Sequence, residues 1–157
     1  MKNKNKFPPI SRSLHVLLAE DDKADCLLFR EALEELPISV QLTTVANGEE
    51  LIDWLAQQKS RLPDVLFLDL NMPRKNGYAS LGLIKRNRFL QDIPVIIFST
   101  ANEEENTKQV FRDAAHYFIQ KPTDFSDLKA LMYKALKLIA DKNTSLPNKD
   151  NFILTID

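Results

Sequence analysis

Five polar residues of the chain lie where apolar runs end, and their side chains suit metal binding or phosphoryl chemistry. They are the acids Glu20, Asp21 and Asp69, the hydroxyl residue Thr100 and the base Lys121. Clustered carboxylates repel one another by roughly 4 kcal/mol per pair at about 4 Å and an effective dielectric of about 20, which one lysine cannot offset. A hard divalent cation that prefers oxygen ligands is therefore expected among them. That cation and Lys121 would together neutralise charge on a phosphoryl group during its transfer.

The placement of Asp69 is the strongest of these signals. The apolar run Val65–Leu68 stops at Asp69 and is bounded by turn-forming residues on both sides, which is typical of a strand buried on both faces. A lone Asp at such a point most often caps the strand and leads into a turn. Open α/β sheets, however, bind ligands at the carboxyl ends of their strands, where all five polar residues are predicted to lie. Their coincidence at one rim indicates a shared site.

Strand-like and helix-like segments alternate along the chain. The predicted strands are Leu14–Ala19, Val40–Thr43, Val65–Leu68, Ile93–Phe98 and His116–Ile119. The predicted helices cover about 23–36, a segment capped by Asn47 and Glu50, a segment ending near Asn87, a segment that starts within Asn102–Glu105, and about 125–140. Alternation of this kind predicts a parallel sheet with right-handed crossovers.

Composition narrows the class of protein. A length of 157 residues suits one domain with a sizeable core, and a net charge of −1 with dispersed basic residues argues against a nucleic-acid surface. The single cysteine, Cys26, excludes an internal disulfide and fits a reducing cytosol, so we expect a cytoplasmic protein. No apolar run has membrane-spanning length, and the lysine-rich start lacks the apolar segment of a signal peptide. The glycines cannot form a GxGxxG or Walker nucleotide motif.

Two tails are predicted to flank the domain. Residues 1–13 are polar and basic and contain Pro8-Pro9, which favours a flexible N-terminal tail, and residues 14–140 form the predicted domain. Residues 141–157 are a polar C-terminal tail with one apolar stretch at 152–154. That stretch could pair as an extra strand or be disordered, and the sequence leaves both open.

Four motifs resemble those of the receiver domain of two-component response regulators, such as the bacterial chemotaxis regulator and the phytochrome-associated single-domain regulators. They are AEDD (19–22), LDLNMPRKNG (68–77), STA (99–101) and QKP (120–122), in the family's order and spacing. The resemblance covers about residues 14–140. It implies a flavodoxin-like (βα)5 three-layer sandwich with a parallel five-stranded sheet of order 2-1-3-4-5. The alternating pattern of Val40–Thr43 agrees with an edge strand in that order.

The resemblance also implies how the acids act. Asp69 would be the phospho-acceptor and would attack the phosphorus of a phosphohistidine on a histidine kinase or a histidine phosphotransfer protein. Asp21 and Asp69 would bind Mg²⁺ directly, and the backbone carbonyl of Asn71 would be a further ligand. Glu20 would act mainly through metal-bound water. The oxygen-only ligand set, with no His/Cys cluster, argues against zinc.

The remaining motif residues would respond to the phosphoryl group. By the same resemblance, Thr100 would hydrogen-bond it, Lys121 would pair with its oxygens, and Phe118 would be the switch aromatic that turns inward together with movement of Thr100. The Lys121–Pro122 bond would be cis. Phe118 departs from the tyrosine often found there, so it has no hydroxyl to offer a partner.

Three further residues near the motifs have structural interpretations. Asp22 adds an acid beside the metal pair, and its spacing to Asp25 predicts a helix cap. His15 and His116 lack matching partners for catalysis and are interpreted as structural.

The sequence therefore predicts a single-domain response regulator that switches partner binding, rather than an enzyme that acts on other substrates. It would catalyse only its own phosphorylation and dephosphorylation. Output to an unknown protein target is expected through the fourth helix, fifth strand and fifth helix, and a homodimer through that surface is one form it could take. No nucleic-acid or membrane partner is expected.

Two other functions remain as alternatives. A Mg²⁺-dependent aspartyl-phosphate phosphatase of the haloacid dehalogenase type needs a second acid two residues after the nucleophile, where this chain has Asn71. A constitutive receiver-like scaffold would be expected to lack Asp69, Asp21 or Lys121, and all three are present.

Overall fold

Five strands and five α-helices alternate along the part of the chain that the structure describes. The structure is a computed structural model and describes residues 7–58, 61–100, 104–141 and 146–156. The strands are β1 (Leu14–Ala19), β2 (Val40–Val45), β3 (Val65–Leu68), β4 (Val95–Ser99) and β5 (Tyr117–Gln120). The helices are α1 (Lys23–Glu34), α2 (Gly48–Ala56), α3 (Gly77–Arg86), α4 (Glu104–Arg112) and α5 (Phe125–Ala140). A short 3-10 turn spans Lys149–Asn151.

The sheet is parallel, with the order β2-β1-β3-β4-β5, which confirms the predicted fold. Helices cover both faces, because alternate side chains of each strand point to opposite sides. On β3, for example, Val65 and Phe67 pack in the cluster that includes α1 and α5, whereas Leu66 and Leu68 pack in the cluster that includes α2, α3 and α4. The result is the predicted three-layer sandwich. Among the described residues, no helix has both the length and the apolar character needed to cross a membrane.

Side-chain caps fix where the helices begin. Asp22 accepts a hydrogen bond from the Asp25 amide, which confirms its predicted role as the cap of α1. Asn47 accepts from the Glu50 amide and starts α2, again as predicted. The predicted start of α4 at Asn102 lies outside the described residues. β4 begins two residues later than predicted, at Val95, because the preceding Pro94 has no N–H for the ladder.

The prediction of a flexible N-terminal tail is wrong for residues 7–13. The Phe7 ring lies 4.8 Å from the Tyr133 ring on α5, and the Ile10 amide donates to the Pro37 carbonyl at 3.0 Å. Arg12 forms an ion pair with Asp64 at 3.0 Å. Apolar side chains between the polar ones find partners on the domain, which composition alone did not reveal. Residues 1–6 lie outside the described residues.

The C-terminal segment, residues 146–156, pairs with the β5 edge of the sheet through a single parallel bridge between Ile153 and Phe118. The Phe118 amide donates to the Phe152 carbonyl at 3.0 Å, and the Leu154 amide donates to the Phe118 carbonyl at 2.9 Å. The Phe152 side chain is only 2% exposed, and its ring lies 5.1 Å from Phe111 and 6.4 Å from Phe118. For residues 152–154 the sequence left open an extra strand or disorder, and the structure shows pairing with β5 at one bridge rather than a sixth strand.

Candidate functional site

The parallel register of the sheet brings the candidate residues to one edge. Ala19 and Leu68 are partners in the pairing of β1 with β3, so Glu20 and Asp69 leave the sheet side by side. The Asp69 amide donates to the Ala19 carbonyl at 3.1 Å and holds that register past the end of both strands. Lys121 is fixed in the same way, since its amide donates to the Ser99 carbonyl at the end of β4 at 3.0 Å.

Three carboxylates form a compact cluster at this edge. Glu20, Asp21 and Asp69 each place one oxygen so that all three oxygens lie within 4.8 Å of one another. Glu20 and Asp69 are buried, with only 2% and 4% of their surface exposed, whereas Asp21 is exposed to solvent. Buried carboxylates at this spacing repel strongly unless cations lie among them. The predicted acid cluster is therefore present in the fold.

Lys121 is the cation that balances part of this charge. Its side chain is 10% exposed, and its ammonium contacts Glu20 Oε1, Asp25 Oδ2 at 2.8 Å and Asp69 Oδ2 at 3.5 Å. Burial alone would lower the pKa of Lys121, but the hydrogen bonds to Asp25 and Glu20, together with the negative charges of Asp69 and Glu20, outweigh burial and raise it above its usual value. The ammonium therefore stays charged at neutral pH. One lysine still faces more than one carboxylate.

Asp25 is the residue of the site that the sequence analysis missed. The sequence indicates only its part in the cap of α1, where its backbone amide donates to the Asp22 carboxylate. Its carboxylate also pairs with Lys121, which lies 96 residues away in the chain. No local pattern indicates such a contact. Only the folded structure, in which the start of α1 lies next to the end of β5, reveals it.

Glu20 is the carboxylate whose protonation is shifted in this cluster. Burial raises the pKa of Glu20 from 4.5 to about 7; the hydrogen bond from Lys121 opposes this rise, while the neighbouring Asp69 charge adds to it. Glu20 therefore takes up a proton more readily in the folded protein than in the unfolded chain. A pKa raised on folding favours the folded state at low pH, and the advantage is lost as the pH rises through the folded value.

This pKa shift predicts how stability depends on pH when divalent metals are removed with EDTA. The free energy of unfolding of the wild type, relative to Glu20→Gln, should fall as the pH rises from about 4.5 to above 7. The Gln variant is the matched control, since it keeps the shape but cannot ionise, and the other titrating groups are common to both proteins. Urea denaturation at a series of pH values measures the difference. A difference that is constant or grows with pH would contradict the assignment.

The loop after β3 is shaped around Asp69. Asp69 Oδ1 accepts a hydrogen bond from the Asn71 amide at 3.1 Å, which fixes the carboxylate. The loop returns to start α3 at Gly77, where an added Cβ would lie 2.3 Å from the Asp69 carbonyl oxygen. Only glycine fits so close to that backbone. Gly77 thus belongs to the site although it carries no functional side chain.

The other predicted residues lie around this cluster. Thr100 directly follows β4 at the same rim and is exposed, as is Asn71 after β3. Phe118 lies within β5 and is already buried, with 2% of its surface exposed. The prediction of a cis Lys121–Pro122 bond is wrong, since this bond is trans, the form that X–Pro bonds intrinsically favour.

The chemistry of the cluster fits Mg²⁺. Its donors are carboxylate oxygens, two of them on buried side chains, and hard divalent cations take such ligands. Glu20, Asp21 and Asp69 could hold the ion, and the Asn71 carbonyl lies in the loop directly beyond Asp69. The same ion would relieve the repulsion between Glu20 and Asp69, which adds to the effect of burial on the pKa of Glu20.

A five-stranded parallel sheet that carries a buried aspartate among further acids and a lysine defines a class of α/β signalling domains. Residues 16–133 match the sequence profile of the response regulator receiver domain, and the chain belongs to this family. It is a two-component signalling protein rather than a conventional enzyme.

Its relatives include regulators of phytochrome signalling. Response regulator Rcp1 of Synechocystis sp. is 32% identical over 117 residues, which cover 72% of this chain and 80% of Rcp1. The structure of the phosphorylated cyanobacterial phytochrome response regulator RcpA matches with a TM-score of 0.71 and 31% identity, over 87% of this chain and 100% of that one. The Mn²⁺-bound form of Rcp1 matches with a TM-score of 0.72 and 30% identity, over 85% of this chain and 99% of that one.

Proposed function

We propose that this protein accepts a phosphoryl group on Asp69 from the phosphohistidine of a histidine kinase or a histidine phosphotransfer protein. A carboxylate oxygen of Asp69 forms the new bond to phosphorus as the phosphorus–nitrogen bond breaks, and the imidazole leaves with that electron pair. The observation that supports this most strongly is the position of Asp69, 4% exposed, between the acids and Lys121. The phosphorylated state of the relative RcpA is in agreement.

Mg²⁺ is the cofactor we propose for this step. Asp21 and Asp69 would bind it directly, the Asn71 carbonyl would contribute a further oxygen, and Glu20 would act through bound water. The ion would supply positive charge beside the transferring phosphoryl group. The oxygen-only acid cluster and the Mn²⁺-bound form of Rcp1 both support a divalent cation at this rim.

Lys121 and Thr100 have complementary roles in the proposal. Lys121 already lies 3.5 Å from Asp69 Oδ2, so its ammonium is close enough to pair with oxygens of a phosphoryl group there. Thr100, at the end of the neighbouring strand, would donate its hydroxyl. Phosphorylation adds about −1.5 to −2 of charge and strong acceptor oxygens, and these contacts would transmit that change to α4 and to Phe118 in β5.

Incubation with acetyl phosphate tests the proposal. With Mg²⁺ present, intact mass spectrometry should show one added phosphoryl group, and EDTA should prevent its addition. Equal labelling with and without metal would leave Asp69 as an acceptor but remove Mg²⁺ from the proposal. Release of inorganic phosphate from unrelated phosphomonoesters would instead favour the phosphatase alternative, which the Asn71 side chain makes the weaker candidate.

Asp21→Ala should weaken Mg²⁺ binding by more than the roughly 10–100-fold that loss of an outer-sphere partner typically costs. The matched control is Asp22→Asn, which removes an adjacent charge but retains an oxygen to cap α1. Isothermal titration calorimetry is the suitable measurement. Trp54 is a poor reporter, because it packs against His15 near the start of β1, at the end of the sheet away from the acids. Unchanged affinity in Asp21→Ala would place the metal elsewhere.

The proposed output surface is formed by α4, β5 and α5, and residues 14–140 are the proposed receiver unit in the cytoplasm. Phosphorylation would change how this surface associates with a downstream protein or with a second copy of the chain. The C-terminal segment forms part of this proposed surface, because residues 152–154 cover the outer edge of β5.

A further inference from the structure

A groove lies between α4 and the C-terminal segment. Its volume is about 500 Å³, the size range of pockets that hold small ligands or a few side chains of a partner. One wall comes from α4 and the other from the segment that the sequence left undecided. We call it the basic groove, and its lining residues are Thr107, Lys108, Phe111, Arg112, Lys149, Phe152 and Ile153.

Apolar side chains form the floor of the basic groove. Phe111 is half-buried and meets the buried Phe152 ring edge-to-face at 5.1 Å. Ile153 remains 47% exposed although the backbone on either side of it is hydrogen-bonded to β5. A solvent-exposed aliphatic side chain beside aromatic rings is typical of a contact surface rather than of a solvated tail.

The charged residues of the groove are all of one sign. Lys108, Arg112 and Lys149 line it, and no aspartate or glutamate is among the lining residues. This local positive charge occurs in a chain whose net charge is −1. Charges of one sign around an apolar floor select partners of opposite sign and accelerate their encounter.

We propose that the basic groove docks an acidic, amphipathic segment of a partner protein, with apolar side chains on Phe111 and Ile153 and carboxylates beside Arg112 and Lys149. This inference rests on the proposed function only in treating the groove as part of the output surface. The binding itself requires neither Asp69 nor a phosphoryl group.

A second copy of the chain fits the groove poorly. In a two-fold dimer the same patch faces itself, so two facing grooves would bring three cations against three cations. Like-charge pairing of that kind disfavours the homodimer in this arrangement. A partner with carboxylates avoids this repulsion between like charges. We therefore expect the partner to be a different protein.

Selection from a random peptide display library on the unphosphorylated, full-length protein tests the proposal, because every side-chain chemistry competes in one experiment. Enriched peptides should combine Asp or Glu with apolar residues and should shift the amide resonances of Phe111 and Ile153. The double variant Arg112→Gln/Lys149→Gln should bind them roughly tenfold or more weakly, with reduced salt dependence. The matched control Arg86→Gln/Arg88→Gln removes two exposed charges near the end of α3 and should bind as the wild type does.

Several outcomes would overturn the inference. They are the absence of enriched peptides, enrichment of neutral or basic peptides, and binding that is insensitive to Arg112 and Lys149. Tighter binding of phosphatidylglycerol vesicles or of a DNA oligonucleotide at the same residues would also overturn it, as would a dimer in sedimentation that the double variant disperses. Failure of phosphorylation would appear separately, as a missing mass increase with acetyl phosphate while peptide binding persists.

Discussion

Asp69→Asn should abolish labelling by acetyl phosphate while the protein remains folded. The amide of asparagine has nearly the shape of the carboxylate but lacks a nucleophilic oxygen, so the bond to phosphorus cannot form. Removing one of three clustered charges should also leave the metal-free fold at least as stable as the wild type, because the repulsion with Glu20 is lost. Intact mass spectrometry measures the labelling, and circular dichroism confirms the fold.

Asp25→Asn is the matched control for this result. Asp25 also contacts Lys121, at 2.8 Å, but lies on α1 outside the three-carboxylate cluster. Its neutralisation should leave labelling intact, although the rate will change if the position of Lys121 depends on it. Labelling that persists in Asp69→Asn and disappears in Asp25→Asn would move the acceptor to α1 and refute the proposed site.

Phe152→Ala should lower the free energy of unfolding by about 3 kcal/mol. Replacing a buried phenylalanine by alanine typically costs about 3–5 kcal/mol, and the lower end is expected here because a segment that pairs with β5 at a single bridge can detach without unfolding the sheet. Phe152 is 2% exposed and packs on Phe111 and Phe118. Urea denaturation followed by Trp54 fluorescence measures the loss.

Ile156→Ala is the control for the C-terminal segment. Ile156 lies in the same segment but is 53% exposed, and such surface substitutions usually change stability by no more than about 0.5 kcal/mol. Equal, small effects of both variants would mean that residues 152–154 do not pack on β5. In that case the basic groove would lose one of its walls as well.

Much of the candidate site could be predicted from the sequence because it depends on local signals. Each buried strand is an apolar run, and each functional residue lies where such a run stops, as Glu20 does after β1 and Asp69 after β3. Parallel topology then brings those ends to one edge. Helix caps such as Asp22 were equally visible, since a capping side chain and the amide that donates to it lie within one turn.

What the sequence did not reveal depends on contacts between distant segments. The pairing of Asp25 with Lys121 bridges 96 residues. The C-terminal segment is polar by composition, and its two buried side chains, Phe152 and Leu154, become informative only when the edge of β5 is available to receive them. Residues 7–13 pack on α5 and the base of the sheet for the same reason.

The surroundings of Phe118 also depend on a distant segment that the sequence did not place. The family resemblance predicts that Phe118 is the switch aromatic, and the structure shows that its ring is 2% exposed and that both its backbone groups are bonded to the C-terminal segment. A switch at this residue therefore has to alter the segment together with the ring. Such coupling would link the proposed phosphorylation site to the basic groove through β5 and α4.

Chemical mapping of the phosphorylated residue tests the central claim most directly. After incubation with acetyl phosphate and Mg²⁺, borohydride reduces an aspartyl phosphate to homoserine, and peptide mass spectrometry locates the reduced residue. We predict that Asp69 alone is converted, and only when Mg²⁺ is present. Conversion of Asp21, Asp25 or Glu20 in place of Asp69 would contradict this account of the site.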